Sequence, residues 1–397
     1  MARRIVGGNT AAPTREPMGK FVAVPESTRP TMRLRDLADE LERRRASSKD
    51  IVVDSANMEL VPVEGGPVQM AVQMDDKDAE LYGITPWAHG QLAEKCQIPK
   101  QYYDRMLSTG HGELLAANVN EWLPAKERRM LRVLDGNVRA VVSDKFNTRL
   151  DNYGLAFASL EVFNDLKAAG KPIEIVNAEL TDRHMYVKAI RRDLGYSIGT
   201  IMRGGVQQDD LVYMGASMSN SEVGDGAFSV SPYMWRVACA NGMINEQTLR
   251  RVHIGERMEV GVFTEQTLEL ADELLWRKAK DTLYAGFNEE LFAEWVDQVK
   301  FGKEVVIARP TEVIDNLAGA YKITEDRKAA LLDAFTVEAA EGNNNLWGLA
   351  NAVTRLAHTE ATAEGAVNLE KLGARIATLQ GRELDELLVA PTVRRKR

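Results

Sequence analysis

The chain has 397 residues, 45% hydrophobic and 27% charged, the composition of an ordinary globular protein with a sizeable core in one large or two medium domains. No run of 18 apolar residues occurs, so no transmembrane helix is expected, and the opening MARRIVGGNTAAPTREPMGK lacks the apolar stretch of a secretory signal. The net charge of −8 is uneven: residues 1–49 carry 11 basic and 6 acidic groups, residues 50–125 carry 4 and 12, residues 126–257 carry 18 and 16, and the remainder is acidic again.

Residues 1–30, rich in Gly, Pro, Thr and Arg and without a period, read as a flexible basic arm. MRLRDLADELERRR (32–45) sets Leu34, Leu37 and Leu41 at helical spacing and predicts a short amphipathic helix. IVVDSANMELVPVEGGPVQMAVQM predicts two strands broken at Gly65-Gly66. In ITPWAHGQLAEKCQIPKQYYDRML (84–107), Thr85 as N-cap with Pro86 behind it opens one helix, and Pro99 opens a second. So tight a pair is either two packed helices with Trp87, Leu92, Tyr102, Tyr103 and Met106 in the core, or a helix-turn-helix whose second helix offers little positive charge.

RRMLRVLDGNVRAVVSDKFNTRLDN (128–152) is the stretch around which the rest of the chain is organised. Met130–Leu134 and Val138–Ser143 are predicted strands around Asp135-Gly136-Asn137, because Asp-Gly supplies the two positive φ angles of a type I′ turn. Thr148 with Asp151 predicts a capping box for the next helix, which Gly170 ends. From 172 to about 255 the period is mostly two, with turn signals at Thr181-Asp182, Gly224-Asp225-Gly226 and Asn241-Gly242. From 262 onward the pattern is almost wholly helical. The predicted fold class is α+β: an antiparallel meander sheet, a hairpin-to-helix unit and a largely helical C-terminal part. The expected organisation is an arm at 1–30, a mixed region with the helical pair at 31–125, a β-rich core at 126–260 and helices at 261–390.

No motif names a reaction. GxxxxGK[ST] is absent, as are a GxGxxG opening a helix and a GxSxG elbow. Cys96 and Cys239 lie far apart and fit a reducing compartment, and the five scattered histidines give no zinc spacing. No cofactor or metal is expected. Cys239 sits in the apolar stretch MWRVAC, so a buried, inert thiol is expected over a nucleophile paired with His253. An enzyme built on Asn220, Glu222, Cys239 and His253 is the minor reading.

Basic residues carry the stronger signal. From 126 to 149, seven Lys/Arg stand against three acids in an otherwise acidic chain. Further clusters lie at Arg183, Lys188, Arg191, Arg192 and Arg203, and at Arg236, Arg250, Arg251, His253 and Arg257. With Phe146, Tyr153, Tyr186 and Tyr233 interleaved, such a sheet has the makings of a groove that tracks phosphates and stacks bases. The competing expectation is a sheet whose charges pair with acids from the helical part. The candidate nucleic-acid contacts are Arg132, Arg139, Lys145, Arg149, Arg203, Arg236, Arg250 and Arg251, centred on the strand-to-helix turn between Arg139 and Arg149.

The segments LRVLDGNVRAVVSDKFNTRLDN, SMSNSEVGDGAFSVSPYMWRVACANGM and RRVHIG, with TPWAHGQLAEKCQIPKQYYDRM and LWGLANAVTRLAH, resemble the phage/plasmid-like protein family, a domain of unknown function. The resemblance covers most of the chain and implies a phage, plasmid or host setting, with no catalytic residues to carry over. In plan, the hairpin, its helix and the basic sheet are also similar to ring-forming single-strand annealing proteins of phage recombination. That similarity implies single-stranded DNA as partner and a homo-oligomer, without nucleotide hydrolysis. The expected function is therefore single-stranded DNA binding or strand annealing in recombination or replication, in the cytoplasm and without a membrane partner. The alternative is a phage or plasmid regulatory or host-interaction protein that turns the 84–107 helices toward duplex DNA or a protein.

Overall fold

The computed structural model describes residues 31–63, 66–74, 78–123, 127–146, 150–246, 250–251 and 264–389, with 250, 251, 265 and 268 described by backbone alone. The expected arm at 1–30 lies outside the described residues.

The first sheet grows outward from the predicted hairpin. Strands β5 (Arg128–Leu134) and β6 (Asn137–Ser143) close on Asp135 and Gly136 at φ 51° and 75°, as the Asp-Gly turn requires. β1 (Ser48–Asp54) pairs antiparallel with the whole of β5. On the other edge β6 takes β4 (Glu80–Ile84) in parallel, and β3 (Gln69–Val72) and β2 (Met58–Val61) complete the order β1-β5-β6-β4-β3-β2. The hairpin therefore belongs with the segment before residue 126, not with the meander after it. Ile51 and Val53 of β1 bury against the same core as Leu131 and Val133 of β5, which fixes that pairing. The stretch read as two strands is three, β1 to β3, because Ser55–Asn57 turn as a 3-10 helix between the first two.

Helices α2 (Pro86–Lys95), α3 (Lys100–Ser108) and α4 (Gly112–Trp122) pack on this sheet through Leu92, Tyr103, Met106, Leu115 and Val119. The Thr85 side chain accepts from the Ala88 amide and Pro86 holds the first position, so the predicted start of α2 is observed. Tyr102 turns outward, one residue round the helix from buried Tyr103, and Trp87 packs on a smaller cluster with Met130, Val142 and Val223; neither joins the main core.

The second unit begins with α1 (Leu34–Ser47), which buries Leu37 and Leu41 of the predicted apolar face, while Leu34 at its first position is exposed. α5 (Asn152–Ala168) is capped by Asp151, whose carboxylate accepts from the Gly154 amide at 2.7 Å. The predicted cap Thr148 lies outside the described residues. Next come five antiparallel strands, in the order β11-β10-β9-β8-β7: β7 (Ile173–Leu180), β8 (Met185–Arg203), β9 (Val206–Asn220), β10 (Ser229–Arg236) and β11 (Asn241–Ile244), with β12 (Arg250–Arg251) also on β10. Asn241-Gly242, expected as a turn, lies inside β11; the chain reverses at residues 237–240, with Ala240 at φ 51°. Gly242 is a strand residue because the Tyr233 ring fills the space where its Cβ would lie.

Among the described residues seven helices follow: α6 (Glu265–Gly286), α7 (Glu289–Glu304), α8 (Pro310–Tyr321), α9 (Glu325–Ala340), α10 (Leu346–Leu356), α11 (Ala363–Ala377) and α12 (Gly381–Leu388). Val187, Ala216, Met218 and Val230 belong to the large core shared with α1, α5 and α6, while Tyr186, Ile190 and Tyr233 pack with Ala363 and Val367 of α11. The meander is thus covered by helices on both faces. No described helix is long and apolar enough to cross a membrane.

α10 is buried along most of its length, and its N-terminal turn packs on its own lead-in: a Cβ at Gly348 would lie 1.8 Å from the Asn343 carbonyl. In an open helix Gly→Ala stabilises by about 0.5–1 kcal/mol. Here we expect Gly348→Ala to destabilise by about 1–3 kcal/mol, through the backbone shift it forces. A urea midpoint equal to or above that of the wild type would contradict the close approach.

Candidate functional site

The two units meet at the loop of residues 221–228 between β9 and β10. Gly224 and Gly226 give it positive φ angles of 79° and 123°, and the Ser221 hydroxyl accepts from the Asp225 amide at 3.1 Å. From the first unit, the Trp87 indole N–H and the Gln91 amide both donate to the Val223 carbonyl, at 2.9 and 2.8 Å. Arg132 donates to the Glu222 carbonyl at 2.8 Å. The Glu222 carboxylate accepts from Arg139 at 3.1 Å on one oxygen and from the Asn152 amide, at the start of α5, at 2.8 Å on the other. Asp225 binds Arg183, whose guanidinium lies 4.4 Å over the Trp87 ring. One short loop therefore gathers β5, β6, α2 and α5.

Beside this loop, the end of α1, β1, β5 and the start of α5 enclose a polar cleft of about 230 Å³. Arg44, Arg45, Lys49 and Arg132 line it with Asp50, Asp151 and Glu222. Three of the cations have acidic partners: Arg132 with Asp50 at 3.0 Å, Lys49 with Glu80 at 3.0 Å and Arg44 with Glu40 at 2.8 Å. Arg45 instead lies 4.6 Å over the Tyr153 ring, and Tyr153 stands 4.7 Å from Phe157, which is 45% exposed. These rings succeed one another along α5 at a spacing of four, so helical geometry puts them on one face. Burial pushes the Asp151 carboxyl up, against the pull of the Gly154 amide it caps.

Comparison with family models, curated proteins and solved structures gives no match. The geometry of the cleft alone carries the functional reading.

The eight candidate arginines and lysines do not gather at one place. Arg132 forms a wall of the cleft. Arg139 is buried against Glu222 and the Asp182 carbonyl, and it joins the units from inside. Lys145 is exposed just past β6. Arg203, at the far end of β8, donates to the Ala238 carbonyl. Arg236 is 1% exposed, with Asp210 at 2.7 and 3.0 Å, Glu338 at 2.8 Å and the Trp347 ring at 5.5 Å. Arg149 lies outside the described residues, and Arg250 and Arg251 are placed only by their backbone pairing with Val230 and Ser229. For Arg139 and Arg236, burial corrects the expectation of a solvent-facing groove: each is an internal ion-pair partner. Acids of the helical part also reach the sheet at Lys188–Glu370 (2.6 Å) and Arg191–Glu289 (2.6 Å).

Of the residues weighed as an enzyme site, Asn220 and Glu222 both reach Asn152 at the loop, and Cys239 lies elsewhere. Buried Asn220 donates to the Leu150 carbonyl and to Asn152 beside the loop, whereas Cys239 sits with Arg236 and Glu338. Burial pushes the Cys239 thiol up to about 12, so it stays protonated at neutral pH. His253 lies outside the described residues. Among the described residues, the one group of His, Cys, Asp or Glu with ligand atoms within 4.8 Å of one another is Cys239, Glu338 and Glu341, so the cleft carboxylates form no such group.

Sequence patterns do not single out Arg44, Arg45 and Lys49 as contacts. The run of arginines at 43–45 is visible, but its meeting with β5 and α5 depends on tertiary packing. Glu222 and Asp225 stand in SNSEVGDG without partners that spacing can assign, because Arg139 is 83 residues away and Arg183 42.

Proposed function

We propose that the chain binds single-stranded nucleic acid at the cleft between its two units, and not across the meander sheet. The observation that carries this reading is the meeting of cations and rings at one cleft: Arg45 lies over Tyr153, Tyr153 stands beside exposed Phe157, and Lys49 and Arg132 line the same cleft. Guanidinium forks suit phosphate oxygens, and aromatic faces accept any base. The meander cations are poor rivals, because Lys188, Arg191 and Arg236 are buried as well as paired, whereas Lys49, also paired, stays half exposed. A homo-oligomer that lines up several clefts on one strand, and a place in phage or plasmid recombination or replication, belong to the same proposal.

The test is a titration of labelled oligothymidylate at two salt concentrations. Loss of one stacking ring costs about 1–3 kcal/mol, so Tyr153→Ala is expected to weaken binding by about tenfold or more. Lys49→Ala is expected to reduce the salt slope by about 0.7, while Arg203→Ala leaves affinity unchanged. Absence of binding by the wild type at low salt, or equal loss in the Arg203 variant, would remove the cleft from consideration.

A further inference from the structure

We propose that Cys239, Glu338 and Glu341 form a binding site for a thiophilic divalent cation such as zinc, and that the Arg355 guanidinium is the resident counter-cation that the metal displaces. The site is independent of the cleft. The chain reversal between β10 and β11 brings Cys239 onto the C-terminal end of α9, where Glu338 is fully buried and Glu341 caps the helix. One ligand atom from each of the three lies within 4.8 Å of the others. A thiolate and two carboxylates are zinc donors, and three protein ligands leave a position for water.

Two observations point to a cation here. The first is that one is already present. Arg355 Nη2 lies 3.3 Å from the Cys239 sulfur and 2.9 Å from Glu338 Oε1, between thiol and carboxylate. Its side chain is 36% exposed, so it can swing into solvent, and its Nε has no hydrogen-bond partner among the described residues. The second is unused acceptor capacity. Asn343 is fully buried with its amide against Glu338 (3.2 Å), yet its Oδ1 has no partner among the described residues, and neither does the buried Glu341 Oε2. A cation held by Glu341 would recover the free energy that its unpaired buried oxygen costs.

The exchange balances. The thiol loses its proton to solvent as the sulfur–metal bond forms, and the Arg355 guanidinium withdraws. One proton and one guanidinium leave, and one divalent ion enters. Arg236 stays in place, held by both oxygens of Asp210 and by Glu338 Oε2; its Nη1, 3.3 Å from the Cys239 sulfur, would donate to the metal-bound thiolate and leaves Glu338 Oε1 for the metal. The other charges facing the site, Arg203 from β8, Asp210 from β9 and Lys303 from α7, keep their places. Because a proton is released, binding should tighten as pH rises.

Cobalt titration of the full chain tests the proposal, since a cobalt–thiolate bond gives a near-ultraviolet charge-transfer band. One ion per chain is expected, with the band retained in Cys96→Ser and lost in Cys239→Ser. Arg355→Met should bind about tenfold more tightly than the wild type, the reverse of what a purely structural arginine predicts. Zinc should also slow alkylation of Cys239 in the wild type, which needs no variant to fold. A band that survives Cys239→Ser, or no band in either the wild type or Arg355→Met, overturns the assignment.

Discussion

Asp210→Asn is expected to destabilise the protein by about 3–5 kcal/mol, the usual cost of breaking a buried ion pair from one side. Asp210 has no exposed surface. Its two oxygens accept from Arg236 at 2.7 and 3.0 Å, from Lys303 at 3.2 Å and from the Trp347 indole at 3.0 Å. The amide of asparagine cannot serve all of these donors, and it leaves the Arg236 charge in the interior with Glu338 alone. The contacts tie β9 and β10 to α7, α9 and α10, so the loss should appear as a lower urea midpoint of the global transition. The effect should also depend on pH. Burial pushes Asp210 and Glu338 up, but their partners together, Arg236 with Lys303 and Trp347 at Asp210 and Arg236 with Arg355 at Glu338, hold both below the usual carboxylate range. Carboxyls depressed in the folded state contribute stability above their unfolded values, near 4, and lose it as pH falls through the folded values. Wild type and variant should therefore converge as the solution is acidified below about pH 4. A difference that stayed constant from neutral pH into strong acid would show that Asp210 acts by shape and not by charge.

The features legible in the sequence are local. The Asp135-Gly136 turn, the Thr85–Pro86 helix start and the Leu37/Leu41 face of α1 each depend on a few adjacent residues, and all three are observed. The α+β class, with its antiparallel meander and helical C-terminal part, is carried by the change of period near 262. Expectation and structure part where a distant partner decides. Asn241-Gly242 has turn composition, but the Tyr233 ring needs the missing Cβ, so the pair sits in a strand. The hairpin is continuous in sequence with the meander, yet β1 offers it an apolar edge from 80 residues upstream: Ser48 pairs with Leu134 and Asp54 with Arg128.

The charges show the same division between local and distant causes. A basic cluster in sequence reads as a surface, because a solvated face is the cheapest place for charge. Arg139 and Arg236 escape that rule since Glu222 and Glu338 meet them in the interior, at separations of 83 and 102 residues. No spacing rule reaches so far. The cleft is hidden for the converse reason. Arg45 and Tyr153 come from segments that read as separate amphipathic helices, and only the packing of α1 beside α5 brings cation and ring together.

Glu222→Ala is the second substitution for which a large loss is expected, again about 3–5 kcal/mol. It strips the partner from Arg139, whose side chain is only 7% exposed and whose Nε already lacks a partner among the described residues. It also frees the Asn152 amide at the start of α5. A compensating double variant distinguishes an ion pair from a general packing defect. Arg139→Met combined with Glu222→Leu removes both charges while keeping most of the volume, and buried pairs replaced in that way are often neutral. The combination should be more stable than Glu222→Leu alone, with a coupling of about 0.5–3 kcal/mol in the cycle closed by the single variants Arg139→Met and Glu222→Leu. Because Glu222 and Arg139 link the first sheet to α5, the single variant should also loosen the joint between units. Its thermal unfolding should broaden or split into two transitions, while the double variant melts in one. If the two losses simply add, the pair is not coupled, and the loop holds the units together through the Trp87 and Gln91 hydrogen bonds to Val223 instead.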